Sequence, residues 1–337
     1  MPDLSTKYLG LKLKNPIIAG ASGLTANMKK LKDIEKSGAG AVVIKSLFEE
    51  EIQLEKYKME EELHKNDERH AEMTSIHPPV KHAGPREHLM WVKKAKEELN
   101  IPVIGSLNAV NEKTWISYAK KLEKTGIDAL EINFYYIPED FLKKGSEIEG
   151  QQNKILKQIK KEVDIPVAVK LGNNYTNPLN IIKSFDKNGA NGFVLFNRFF
   201  QPDIDIYKEE HVYPFNLSNK KDYRLALRFS GLLYDKINAD VCASQGIYSG
   251  ADIVKLILAG ANCVQLVSVL YKKDIKYIKT ILKDIKNWME DKKYSKIEDF
   301  KGKLSQEKTS DKYTYSRAQY VDLLLKPSKL KVDEPLV

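Results

Sequence analysis

The sequence predicts an α/β fold made as a single (β/α)8 TIM barrel, with an N-terminal hairpin and long lid loops after the second and sixth strands. Three observations predict it. Eight short apolar runs recur along the chain, amphipathic stretches of helical periodicity separate them, and the helix-to-strand joints repeat one Gly or Pro signal.

Residues 4–14, with Gly10 between two short alternating pieces, read as a small hairpin ahead of the first strand. The apolar runs are 16–21, 41–45, 103–107, 129–133, 167–171, 192–197, 240–244 and 263–268. Most are rich in Val, Ile and Leu without alternation, as parallel strands covered on both faces require. Segments 27–37, 112–125, 151–163, 178–188 and 249–259 carry the helical pattern between them. Gly38, Gly126, Gly189 and Gly260 stand just past such segments, where a left-handed residue turns the chain into the next strand. Pro102 and Pro166 end two others. Alternating strands and helices admit a closed barrel or a doubly wound sheet, and the count of eight favours the barrel. Two connections, 46 to about 86 and 198 to about 224, are long enough to act as lids over the mouth. Residues 1–292 are expected to form the barrel, and 293–337 a charged extension packed on it.

Composition narrows the function classes. At 337 residues and 42% hydrophobic content the chain can bury one large core. Two cysteines, Cys242 and Cys263, are too few for a disulfide framework and point to a reducing, cytoplasmic setting. The start Met1-Pro2-Asp3-Leu4 lacks a signal pattern, and no apolar run approaches the roughly 20 residues that span a bilayer. The net charge of +9 invites nucleic acid. Against it, Lys alternates with Glu and Asp along helical stretches such as 93–98 and 154–164, the pattern of solvated faces, so neither nucleic acid nor membrane is expected as a partner.

Catalytic groups of this fold come from the strand ends. Here those ends present Ala21-Ser22, Lys45-Ser46, Asn108, Asn133, Lys170, Asn197, Ser244-Gln245-Gly246 and Val267-Ser268. A lysine at the end of a buried strand must be paired or must face an anion. One lysine reads equally well as a structural ion pair. Two lysines with three amides point to an electron-rich planar ligand, whose charge Lys stabilises and whose carbonyl and N–H groups Asn reads. Gly246, followed by the capping-box spacing Ser249-Gly250-Ala251-Asp252, suits a phosphate at a helix start, though Gly246 alone could be a turn residue.

Taken together, residues 15–23, Val43-Ile44-Lys45-Ser46, Val169-Lys170-Leu171, Ala243-Ser244-Gln245-Gly246-Ile247 and 259–265 resemble the FMN barrel of the dihydroorotate dehydrogenase family, its soluble class being the nearer comparison. The resemblance runs from about Leu4 to Tyr271. It implies FMN contacts at Ala21, Ser22, Lys45, Ser46, Asn108, Asn133, Lys170, Asn197, Ser244, Gln245, Gly246, Val267 and Ser268. Lys170 falls on the N1/O2 side of the flavin, and Lys45, Asn133 and Asn197 also serve the substrate. Arg198 is placed to clamp a substrate carboxylate, or else pairs with Asp203 or Asp205.

The departures are specific. After the strand-four Asn the family shows Ser-Cys-Pro-Asn, whose Cys is the base, with Ser in the membrane class. This chain reads Asn133-Phe134-Tyr135-Tyr136-Ile137-Pro138. Tyr136 stands at the Cys position, as base or as aromatic platform, and Lys45 is the other candidate for the proton. Gln245 replaces a Gly, and Val267-Ser268 replaces Gly-Thr. The segments 133–138, 195–205 and 300–306 resemble bacterial proteins described as dihydroorotate dehydrogenase-like. Five of six histidines (His64, His70, His77, His82, His88) fall in or beside the first lid, but their spacing fits no metal-ligand pattern, and no metal is expected. His77 or His82 could close over the flavin as proton donor.

The expected activity is hydride transfer between a small dihydropyrimidine-like substrate and flavin N5, with an electron acceptor not readable from sequence and a homodimer as the assembly to test. Two alternatives stay open. One is a phosphate-binding barrel isomerase or aldolase with a Schiff-base lysine, ranked lower because no strand-end carboxylate stands beside Lys45 or Lys170. The other is a flavoprotein without catalysis.

Overall fold

The computed structural model describes residues 2–54, 84–214 and 217–325. Within them eight parallel strands close into a barrel: β1 (Ile17–Ala19), β2 (Ala41–Val43), β3 (Val103–Asn108), β4 (Ala129–Phe134), β5 (Val167–Leu171), β6 (Gly192–Leu195), β7 (Asp240–Ser244) and β8 (Cys263–Leu266). Each pairs with the next, and β8 returns to β1 through Val264 opposite Ile17. All eight coincide with the apolar runs. The barrel is a fact of the structure, and the doubly wound alternative falls.

Helices α1 (Met28–Lys36), α2 (Pro85–Glu98), α3 (Glu112–Glu123), α4 (Gly145–Glu162), α5 (Pro178–Lys187), α6 (Arg224–Leu233) and α7 (Gly250–Ala259) cover the strands. Their starts are chemically marked. Asn27, Asn111, Asn177 and Ser249 each accept a first-turn backbone N–H, which satisfies a donor the helix cannot. The joint glycines Gly38, Gly126, Gly189 and Gly260 all take positive φ, between 84° and 132°.

Side chains alternate along each strand, so every second one points into the barrel. The lowest inward layer is small or apolar, with Ile18, Ala41, Ala129, Ala168, Cys242 and Cys263. The hairpin of Thr6–Tyr8 and Leu11–Leu13 closes this end by inserting Tyr8, Leu9 and Leu13 among them. The next layer up is polar: Ser106, Glu131, Lys170, Ser244 and Gln265 are all buried. The mouth lies above it.

The first long connection begins with a two-residue strand, Leu47–Phe48, that extends the sheet beside β3, and continues helically through residues 49–54. Glu49 anchors it. Its carboxylate, 2% exposed, accepts from Val110 N at 2.7 Å, Asn111 N at 3.1 Å and Thr114 Oγ1 at 3.0 Å, and also from the Asn111 amide. The loop after β2 is thereby tied to the start of α3, where a negative charge is favoured. Glu49→Ala strands these buried donors and is expected to destabilise the fold by about 3 kcal/mol, read as a lowered denaturation midpoint; an unchanged midpoint removes the anchor role.

The second connection carries a hairpin, Asp203–Asp205 with Glu210–Val212, before α6. Residues 293–325 wrap α6 and α7: Gly302 N donates to Ile257 O, Leu304 N to Leu258 O, and Gln306 N to Gly231 O. Phe300 is fully buried against Trp288 at 5.0 Å. Among the described residues no helix is long and apolar enough to cross a membrane, and no group of three His, Cys, Asp or Glu is placed to hold a metal.

Candidate functional site

A cavity of about 460 Å³ opens at the C-terminal ends of the strands. Ala21, Ser22, Lys45, Ser46, Lys170, Asn197, Arg198, Ser244, Gln245, Gly246, Val267 and Ser268 line it. These residues come from six strands, and only barrel closure makes them neighbours. Phe48, Phe196, Phe200, Ser218, Gln265 and Tyr271 line it as well, without having been singled out by sequence.

Three expected residues stand elsewhere. Asn133 is buried beside the cavity, its side-chain oxygen accepting from Asn197 Nδ2 at 2.9 Å. Asn108 ends β3, where its backbone pairs with Phe48. Tyr136 does not reach the mouth. Tyr135 N bonds back to Asn133 O at 2.9 Å, which turns the chain sideways after β4. Tyr136 then lines a second hollow of about 540 Å³ with Trp115, Phe134 and Lys143, whose ammonium lies 5.3 Å from its ring. Tyr135 instead meets the second lid, accepting from Phe200 N at 3.1 Å and packing on Phe199.

Both strand-end lysines have carboxylates, correcting the expectation that none stands beside them. Lys45 Nζ is 2.8 Å from Glu51 Oε1, while Glu51 Oε2 accepts from Phe48 N. Lys170 Nζ is 3.5 Å from Glu131 Oε1 and 3.4 Å from Gln265 Oε1. Glu51 escaped notice because it lies in the lid. Glu131 carried a readable signal, since it is a charge inside an apolar run, two residues before Asn133 and therefore on the same inward face. Arg198 pairs with Asp222 at 3.0 Å, across the second lid, rather than with Asp203 or Asp205.

The loop after β7 bends sharply. Gln245 takes φ 71° and sends its amide to Phe196 O at 2.8 Å, and Gly246 takes φ 64°. A Cβ on Gly246 would meet Asp222 N at 2.5 Å and Asn219 O at 2.7 Å, so only Gly fits there. Ser218 crosses this end: its Oγ accepts from Gly246 N at 3.0 Å and donates to Ser268 Oγ at 2.7 Å, and its N–H also reaches Ser268 Oγ. The returning end of the second lid therefore sits on the loops after β7 and β8. No local sequence pattern marks Ser218.

Of the lid histidines, His64, His70, His77 and His82 lie outside the described residues. His88 is on α2, buried, and burial pushes its imidazole down from 6.5 to about 4, with Glu51 opposing the fall and Lys45 adding to it. An unfolded chain therefore holds more protons at this residue between about pH 4 and 6.5. The stability it contributes is whole above 6.5 and is lost as pH falls toward 4. His88→Leu is expected to flatten that part of the stability–pH curve, and identical slopes in both proteins would remove the assignment.

The donor set suits FMN in its chemistry. The cavity joins apolar walls (Ala21, Phe196, Ile247, Val267), lysine and amide groups, and the tight Gln245–Gly246 bend after β7. Its volume is within the range of about 300–1,000 Å³ common for cofactor pockets.

Comparison with known proteins agrees with this geometry. Residues 80–289, more than half of the chain, match the family model described as dihydroorotate dehydrogenase. The catalytic subunit of dihydroorotate dehydrogenase B (NAD(+)) from Thermoplasma volcanium is 28% identical over 307 residues, covering 90% of this chain and 98% of the relative. The protein of that name from Methanocaldococcus jannaschii is 26% identical, with 86% and 94% covered. A putative dihydroorotate dehydrogenase A (fumarate) from Aeropyrum pernix is 26% identical, with 89% and 97% covered.

Proposed function

The chain belongs to the dihydroorotate dehydrogenase family, and from that premise we propose that it is an FMN-dependent oxidoreductase acting on the CH–CH bond of a dihydropyrimidine such as dihydroorotate, in pyrimidine metabolism. The observation that carries the reading is the convergence of Lys45, Lys170, Asn197 and the Gly246 bend on one cavity at the barrel mouth. Family membership sets the Schiff-base alternative aside.

Bound there, FMN supplies a two-electron acceptor for a hydride from the substrate carbon, and the second hydrogen leaves as a proton. The chain's own groups do the rest. Ala21, Ser22, Ser46, Ser244 and Gln245 would bound the ring, while the loops of Gly246, Val267 and Ser268, crossed by Ser218, would hold the phosphate. Lys170 would present its ammonium to the electron-accepting part of the ring. Asn133 supports this wall from beside the cavity, and the Asn133–Asn197 pair would orient carboxamides that read substrate carbonyl and N–H groups. Arg198, fixed by Asp222, faces the substrate side. Lys45 lines the cavity and would take up on its amine the proton that leaves the substrate, with the Glu51 carboxylate balancing the ammonium so formed. Tyr136, turned into the neighbouring hollow, is assigned the weaker claim to the proton. Tyr136→Phe is expected to keep flavin reduction within about threefold of wild type; a hundredfold loss would return the role to Tyr136.

The test is direct. The purified protein should be yellow, and anaerobic dihydroorotate should bleach the flavin band. Reoxidation by NAD+ or by fumarate then identifies the acceptor, the two for which relatives are named. A colourless protein that takes up no FMN overturns the reading.

A further inference from the structure

The polar layer beneath the cavity contains a closed three-residue circuit. Glu131 on β4 is 1% exposed, Gln265 on β8 2% and Lys170 on β5 8%. Gln265 donates its amide N–H to Glu131 Oε2, and its amide oxygen faces Lys170 Nζ at 3.4 Å. The other Glu131 oxygen has no hydrogen-bond partner among the described residues and lies 3.5 Å from the same ammonium. Below it stand Ala129, Cys242, Cys263 and Tyr8, so Lys170 is the countercharge the carboxylate meets. Gln265 uses both ends of its amide to set which carboxylate oxygen faces the lysine.

Lys170 is thus held from below and open to the cavity from above. Its field at the cavity is that of an ammonium with a carboxylate behind it, in a setting where water screens little. We propose that Glu131 is a positioning residue that sets the charge the cofactor feels. It fixes the Lys170 ammonium at the wall and offsets part of its positive field, so the flavin is a weaker hydride acceptor than an unbalanced lysine would make it. Gln265 orients the pair and carries no charge itself. This rests on the placement of FMN in the cavity.

Sulfite provides a readout separate from turnover, because its addition to flavin N5 places negative charge on the ring and responds to nearby positive charge. Glu131→Gln keeps the shape and removes the charge. It is expected to tighten sulfite binding about tenfold and to raise the two-electron midpoint potential by about 30 mV, the equivalent of a tenfold change. Gln265→Met breaks the same hydrogen bond but keeps the carboxylate, and is expected to shift both quantities by less than Glu131→Gln does. Should Glu131→Gln fail to fold, Glu131→Asp, which draws the carboxylate back by one methylene, must shift both quantities in the same direction. Wild-type values in the Glu131 variants, or an equal shift in Gln265→Met, overturn the proposal while leaving the flavin reading intact. A wild-type protein that binds no FMN overturns the flavin reading itself.

Discussion

Lys170→Met is expected to slow flavin reduction by substrate by about two to three orders of magnitude, the scale found when one preorganised electrostatic donor is removed from a site. A second effect accompanies it. Glu131 loses the cation that faces it and remains buried as an uncompensated charge, for which breaking a buried pair costs about 3–5 kcal/mol. The single variant should therefore be slow and also less stable. The two effects separate in Lys170→Met combined with Glu131→Gln, which should recover most of the stability and no more of the rate than the roughly tenfold that the Glu131 charge accounts for. Stopped-flow reduction and thermal denaturation of the four proteins in this cycle measure both. If the double variant recovers the full wild-type rate, Lys170 acts through the fold and not on the flavin; if the single variant keeps its stability, the pair is not a structural element.

The floor of the barrel carries the other large expected effect. Tyr8 is 1% exposed and fills the lower end beneath Glu131, among small inward residues. Removing its ring leaves a void that strands hydrogen-bonded all round cannot collapse to fill. Tyr8→Ala should destabilise the protein by about 3–5 kcal/mol and lower the melting temperature by on the order of 10 °C. Burial also pushes the Tyr8 phenol upward, and its hydroxyl has no hydrogen-bond partner among the described residues. Tyr8→Phe should consequently be neutral or slightly stabilising, because it deletes an unpaired buried polar group. A destabilised Tyr8→Phe would mean that the hydroxyl, and not the ring, holds the floor.

The cavity shows how far strand-end reading extends. A parallel strand covered on both faces announces itself by a short apolar run, and its end by the first polar residue. Lys45, Lys170, Asn197 and Gly246 were legible on that rule, because chain direction alone puts every strand end at one mouth. The rule fails one or two residues further on. Asn133 and Tyr136 are only three apart, yet the Tyr135–Asn133 backbone bond turns Tyr136 into a different hollow. Counting positions past a strand assumes an extended chain, and this one bends.

The local pattern of this sequence thus determined the barrel, the capped helices, the glycine joints and most of the mouth. These depend on periodicity and on backbone preferences that neighbouring residues carry. The tertiary structure alone decided the pairings: Glu131 with Lys170 and Gln265, Glu51 with Lys45, Asp222 with Arg198, and Ser218 laid across Gly246 and Ser268. Each joins different elements or crosses a long loop. Their partners become neighbours through barrel closure and the paths of the lids, and burial makes their charges count because it removes the water that would screen them.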